Sequence, residues 1–270
     1  MIKKLIFTAL AIMTFSINSS AQTANDTLVI AHMCDSQLGF GADGIEEDII
    51  QFNKAIENVN RLQPDLVVMA GDMVHIPDSA HYARFFECAR KFTVPVIYTP
   101  GNHDLYEPVS EEALAYYRSL FGDDFTVTKC KGRTIVEFNT QLFRKSPEHE
   151  AAAQREKLKA AVEKAKEEGS AVILVSHVPP FVSDIDEKEE YFNLTKADRR
   201  ELLDFFADNG AFAWLCGHTH KSHCNVYKGI SILNAENTSK SFDKRPKGFR
   251  LMTIAPDNTF TYRFIGNDEL

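Results

Sequence analysis

The chain has no internal repeat, no low-complexity segment and no Gly/Ser-rich linker, which excludes fibrous and strung-out architectures. Beyond its first twenty or so residues it has no long apolar run, so no membrane span is expected in the rest. Its five cysteines, Cys34, Cys88, Cys130, Cys216 and Cys224, are odd in number and scattered, which is not a disulfide framework. Cys34 and Cys216 lie in apolar strands and read as small buried hydrophobes; a bridge from Cys216 to Cys224 across a hairpin is the one pairing that stays open. Positive charge is short as well. Thirty Lys and Arg against 38 Asp and Glu give a formal net charge of −8. Such a surface argues against bulk nucleic acid as a partner, because phosphate backbones are bound by Lys and Arg. It leaves room for a small phosphorylated substrate, since bound metals would supply local positive charge.

What is present begins with a leader. Met1-Ile2-Lys3-Lys4 precedes an apolar stretch from Leu5 to about Phe15, then small and polar residues up to Ser19-Ser20-Ala21. A basic start, a short apolar core and small residues at a cleavage point make residues 1–21 a signal peptide, too short in its core to span a bilayer. The expected mature protein is exported, periplasmic or secreted, with no membrane span and no lipid-bearing Cys at the cut. Losing Lys3 and Lys4 takes its net charge from −8 to −10. Residues 22–270 suit one large α/β domain.

Apolar runs of strand length alternate with helical patterns. Ile49, Ile50, Phe52, Ile56 and Val59 mark one helix; Leu158, Ala161, Val162 and Ala165 mark a second, closed by Gly169. Thr195 with Asp198 starts a third, burying Leu202, Leu203 and Phe206. Strand pairs follow at 125–128 with 134–138, 224–227 with 231–233, and 249–254 with 260–264, the last turning at Pro256-Asp257-Asn258. The pattern predicts an α/β fold of two packed sheets with helices outside.

Five of the strand-like runs end in metal-ligand residue types. Asp35-Ser36-Gln37 follows Leu28-Val29-Ile30, Gly71-Asp72 follows Leu66 to Met69, and Gly101-Asn102-His103-Asp104 follows Val94 to Tyr98. Ser176-His177 follows Val172 to Val175, and Gly217-His218-Thr219-His220 follows Ala213-Trp214-Leu215. Open α/β sheets bind ligands beyond the carboxyl ends of their strands. A lone strand-end Asp is usually a turn former, but the constellation of carboxylate, amide and imidazole suits two divalent cations held close together. His75 could line the same cleft. Tyr106, and Tyr191 to Asn193, are weak candidates for substrate contact. Substrate choice is expected in loops such as 107–115 and 181–194, and the charge run 184–190 reads as solvated loop.

These clusters resemble the calcineurin-like metallophosphoesterase superfamily, whose motifs read Asp-x-His, Gly-Asp, Gly-Asn-His-Asp/Glu, a lone His and Gly-His-x-His. The first departs, with Gln37 standing where most members have His; Gln37, the segment Glu187 to Leu194 and Asn139-Thr140-Gln141 look like the calcineurin-like phosphoesterase domain-containing protein 1 group. The resemblance implies a four-layer αββα sandwich with two mixed sheets. It also implies two divalent metal ions (Mn, Fe, Mg or Zn) that hydrolyse phosphate esters with a shared water. One ion would be held by Asp35, Gln37, Asp72 and His220, the other by Asp72, Asn102, His177 and His218. His103 would protonate the leaving oxygen, with Asp104 hydrogen-bonded to it. The substrate would be a small phosphorylated molecule or a phosphoprotein. Two arginines of the phosphoprotein phosphatases proper are missing: Pro100 replaces one, and Gly71-Asp72-Met73-Val74-His75 lacks their Asp-Arg-Gly.

Overall fold

The computed structural model describes residues 26–270, and the leader read over residues 1–21 lies outside them. Leu28–Met33 (β1), Leu66–Ala70 (β2) and Val96–Thr99 (β3) run parallel in one sheet. Of two later strands, Gly248–Ile254 (β10) lies antiparallel beside β1 and Phe260–Gly266 (β11) antiparallel beside β10. The second sheet has the order β4-β5-β6-β7-β9-β8: Thr126–Cys130 (β4), Arg133–Glu137 (β5), Ala171–Val175 (β6), Ala211–Cys216 (β7), Ile230–Asn234 (β9) and His223–Tyr227 (β8). In it β5, β6, β7 and β9 are parallel, with an antiparallel strand at each edge. Both sheets are mixed.

The central strands β2, β6 and β7 are apolar throughout because both of their faces are buried. Along β2, Val67 and Met69 face the helices, while Leu66, Val68 and Ala70 face the other sheet. The inter-sheet core joins them to Ile135, Ile173, Val175, Ala213 and Leu233. Ile45–Leu62 (α1), Ser79–Ala89 (α2) and Glu111–Phe121 (α4) cover the outside of the first sheet through Phe52, Ile56, Phe85, Leu114 and Tyr117. Glu148–Glu167 (α5) and Lys196–Asp208 (α6) cover the second through Leu158, Val162, Leu203 and Phe206. The result is the expected αββα order of layers.

The N-cap of α6 forms as read: the Thr195 hydroxyl accepts from the Asp198 N–H at 3.1 Å. Two expectations change. Residues 107–115 are not one loop, because Ser110 caps α4 and Glu111 to Ala115 form its first turns. All five cysteines are free, and Cys216 cannot reach Cys224 because β9 lies between β7 and β8. Two strand spacings of about 4.8 Å each exceed the Cα separation a disulfide allows.

Candidate metal centre

The carboxyl ends of β1, β2, β3, β6 and β7 converge, and the chain leaves them through sharp turns. Asp35, Gln37, Asp72, His218 and His220 all have positive φ, between 34° and 73°. Each costs on the order of 1 kcal/mol for a residue other than glycine, so five within one site point to a function that holds them there. Hydrogen bonds between the turns offset the strain: Asp35 N donates to Gly71 O at 3.0 Å, Gln37 N to Asp72 O at 2.8 Å, and Gly217 N to His177 O at 2.9 Å. The turns pack too tightly for larger residues. A Cβ on Gly101 would lie 2.0 Å from Asp72 Oδ1, and one on Gly71 2.4 Å from His177 Nδ1.

Asp72, His177 and His218 are buried, and each offers a ligand atom within 4.8 Å of the others. Asp72 Oδ2 lies 3.3 Å from His177 Nε2, whose other near neighbour is Asn102 Oδ1 at 3.2 Å. Asp35 and His220 make a matching pair, with Oδ1 3.3 Å from Nε2. The two groups are tied together, because the His218 N–H donates to Asp35 Oδ2 at 3.0 Å. Gln37 Oε1 is buried without a hydrogen-bond partner. An orphaned carbonyl oxygen is costly unless something electropositive meets it.

Each histidine of the motifs has one ring nitrogen on a main-chain carbonyl. His177 Nδ1 donates to Ala70 O at 2.8 Å, His220 Nδ1 to Lys240 O at 2.6 Å, His218 Nε2 to Tyr191 O at 2.9 Å and His103 Nδ1 to His75 O at 3.1 Å. A carbonyl only accepts, so the bonded nitrogen carries the proton and the opposite one presents its lone pair. Metal-ligating histidines are oriented in this way. The donor set therefore fits divalent metal at Asp35, Gln37, Asp72, Asn102, His177, His218 and His220.

Electrostatics reinforce the fit. Burial opposes the charge on Asp72, but the adjacent His177 holds its carboxyl well below the usual range. Burial likewise works against His177, yet the Asp72 charge raises it to about 9. Between them is a place where a proton or a cation is strongly favoured. His218 goes the other way, lowered to about 3 by burial and then by His177, which keeps it a neutral ligand.

His103 is half-buried beside this cluster, its ring 4.9 Å from that of His75. The expected contact from Asp104 to His103 is not made. Asp104 Oδ2 accepts from the N–H groups of Asp72 (2.9 Å) and Gly101 (2.8 Å), and Oδ1 from Met73 N (3.2 Å) and the Tyr82 hydroxyl (3.1 Å). Its side chain points back into the turn because the short helix Asn102–Leu105 (α3) places residues 103 and 104 on different faces. Burial and then Asp72 push the Asp104 carboxyl up to about 7, but all four of its partners donate, which serves the charged form. Asp104 positions the Asp72 loop.

The structure brings Asp72, His177 and His218 together, with Asp35, Gln37, Asn102 and His220 beside them, and adds the groups that orient them. Tyr191, a weak candidate, receives the Asn102 Nδ2–H on its hydroxyl at 2.9 Å and the His218 Nε2–H on its carbonyl. Phe40 and Phe242 were not singled out. Phe242 stacks on His220 with centroids 4.6 Å apart, and Phe40 packs edge-on to the same ring at 5.5 Å. Neither has a histidine beside it in the chain, so no local signal marks them as neighbours of His220. Asn139, within the segment noted from sequence, bonds Asp124 and Gln154, while Thr140 accepts from Val178 N, so that segment buttresses the turn after His177. Alongside lies a cavity of about 440 Å³, walled by Phe192 and Phe242 and rimmed by Lys188, Glu190, Lys221 and His223.

Buried carboxylate, amide and oriented imidazoles at the joint edge of two mixed sheets define a metallophosphoesterase. The chain belongs to the calcineurin-like phosphoesterase family, whose profile matches residues 28–222, and it is a phosphoric ester hydrolase. The serine/threonine-protein phosphatase CPPED1 of Bos taurus is 25% identical over 252 residues, covering 88% of this chain and 78% of that protein. The probable glycerophosphodiester phosphodiesterase GpdQ of Arcobacter nitrofigilis is 26% identical over 204 residues, covering 70% of this chain and 71% of that one. Among solved structures, a dimetal phosphatase from Danio rerio superimposes with a TM-score of 0.67 at 14% identity, covering 90% of this chain and 97% of that one.

Proposed function

We propose that the protein hydrolyses phosphate monoesters, phosphoserine or phosphothreonine among the substrates to be screened, at this centre. The reading is carried by the four carbonyl-anchored histidines around Asp72. They leave Nε2 of His177 and of His220 each 3.3 Å from a carboxylate, His218 within 4.8 Å of Asp72 and His177, and Nε2 of His103 for proton transfer. Two divalent cations held by Asp35, Gln37, Asp72, Asn102, His177, His218 and His220 would supply Lewis acidity and an acidified water nucleophile. The residues do the rest. His75 O holds His103 Nδ1–H, so when the ring also carries a proton on Nε2 it is that proton which passes to the departing alkoxide, leaving the neutral imidazole. Phe192 and Phe242 wall the adjoining cavity, which accommodates the alcohol portion of the ester. The similarity to the CPPED1 proteins supports the monoester reading. The similarity to GpdQ makes the diester the competing one.

The deciding experiment is hydrolysis of p-nitrophenyl phosphate beside bis-p-nitrophenyl phosphate by chelator-stripped protein, with Mn²⁺, Mg²⁺, Fe²⁺ or Zn²⁺ restored. Metal-dependent release from the monoester alone supports the proposal, and release mainly from the diester replaces it. No release from either, in protein carrying two metal ions, makes a non-catalytic scaffold the reading to pursue. On an alkyl phosphate, His103→Ala should lower turnover by about 10²–10⁴-fold with metal still bound. An undiminished rate would remove His103 from the chemistry.

A further inference from the structure

Pro100 stands where the phosphoprotein phosphatases carry an arginine, and their Asp-Arg-Gly is absent after Asp72, so any protein cation that meets the phosphoryl group comes from elsewhere in the fold. Two basic side chains flank the centre. Arg144 is committed: its Nε lies 3.2 Å from Glu107, and it donates to Tyr191 O at 2.8 Å. Lys240 is different. Among the described residues its ammonium has no carboxylate partner, and it rests 4.9 Å above the Phe40 ring and 6.0 Å from that of Phe242. Phe40 in turn lies 5.5 Å from His220 and 6.1 Å from His103, between a metal ligand and the proton donor.

Both ends of Lys240 are thus engaged at the centre. Its carbonyl anchors His220, and Phe242, two residues on, stacks on that ring. The platform under its ammonium is fixed, since Asp48 Oδ2 accepts from both Gly39 N and Gly41 N at 3.0 Å and clamps the turn that carries Phe40. We propose that Lys240 reads the substrate's phosphoryl charge, leaving the Phe40 face to pair with a non-bridging oxygen. The four-carbon stem and rotatable ammonium of lysine suit that movement. An ammonium resting on a half-buried ring is held weakly compared with one paired to a phosphate dianion. A monoester dianion carries one more negative charge than a diester, so Lys240 makes the centre prefer monoesters. This deepens the proposed function and rests on it.

The test uses metal-loaded wild-type, Lys240→Met and Lys240→Arg proteins, with metal content measured in each. The first readout is binding of inorganic phosphate by calorimetry, which needs no turnover. Lys240→Met is expected to bind phosphate about 10- to 100-fold more weakly at unchanged metal content, with Lys240→Arg restoring most of the affinity. The second is kcat/KM on a monoester and a diester, where Lys240→Met is expected to lose the same factor on the monoester and little on the diester. Phosphate affinity equal in wild type and Lys240→Met, or absent from wild type, overturns the role of Lys240, as does an equal loss on both esters. Phosphate binding that depends on Lys240 without any ester hydrolysis would retain the inference as an anion site and reject the hydrolytic reading alone.

Discussion

Replacing Asp104 with asparagine separates a positioning role from a proton-transfer role. The carboxylate accepts four hydrogen bonds, and an amide can accept at one oxygen only. The less costly placement puts Nδ2 where Oδ1 stood, since the Tyr82 hydroxyl can turn and accept from it. Met73 N–H is then left buried without an acceptor, a loss of about 1–3 kcal/mol, and the bonds from Asp72 N and Gly101 N weaken from charge-assisted to neutral, about 1 kcal/mol each. Relief of the burial that pushes the carboxyl up to about 7 returns part of this. Asp104→Asn should therefore lose about 2–4 kcal/mol in urea unfolding of the stripped protein at pH 8, where the wild-type carboxyl is ionised. Because Asp72 is carried by the same turn, metal affinity should fall with it. Tyr82→Phe, which removes one bond, should lose only about 1 kcal/mol. An Asp104→Asn protein of wild-type stability and metal content, slow on an alkyl phosphate but normal on an aryl one, would refute this reasoning and return Asp104 to the service of His103.

Tyr191→Phe removes the hydroxyl that accepts from Asn102 Nδ2 while keeping the carbonyl that holds His218. Affinity for one of the metal ions should fall about 10- to 100-fold in metal titration, and unchanged affinity for both would show that Asn102 needs no support. Burial raises Glu137 to about 8 against its ordinary 4.5, with the Thr126 hydroxyl opposing the shift. Between those values the folded protein keeps a proton that the unfolded chain has released, so stability falls as pH rises. The loss is on the order of 3 kcal/mol by pH 7, and Glu137→Gln should flatten it; parallel urea midpoints for the two proteins at pH 5.5, 7 and 8.5 would rule the buried acid out. We propose export through residues 1–21, so N-terminal sequencing of protein from its natural host should start near Gln22, and a chain starting at Met1 would overturn the leader.

What the sequence determined by itself was local. A run such as Leu66 to Ala70 is apolar at every position because it is sandwiched, and the Thr195–Asp198 cap is written within four residues. The candidate ligands were legible for the same reason, since they follow β1, β2, β3, β6 and β7 at the carboxyl ends where α/β sheets bind ligands. The orientation of those ligands was decided elsewhere. Four main-chain carbonyls, at Ala70, His75, Tyr191 and Lys240, select which nitrogen of each histidine faces the centre, and a carbonyl is the same on every residue. Asp104 sits next to His103 in the chain yet serves the turn at Asp72, because α3 directs adjacent side chains to different faces. Lys240 reads as one more surface lysine until packing sets Phe40 beneath it. Identity at a strand end is a property of the chain; which groups turn toward it depends on segments that only the packing of two sheets brings together.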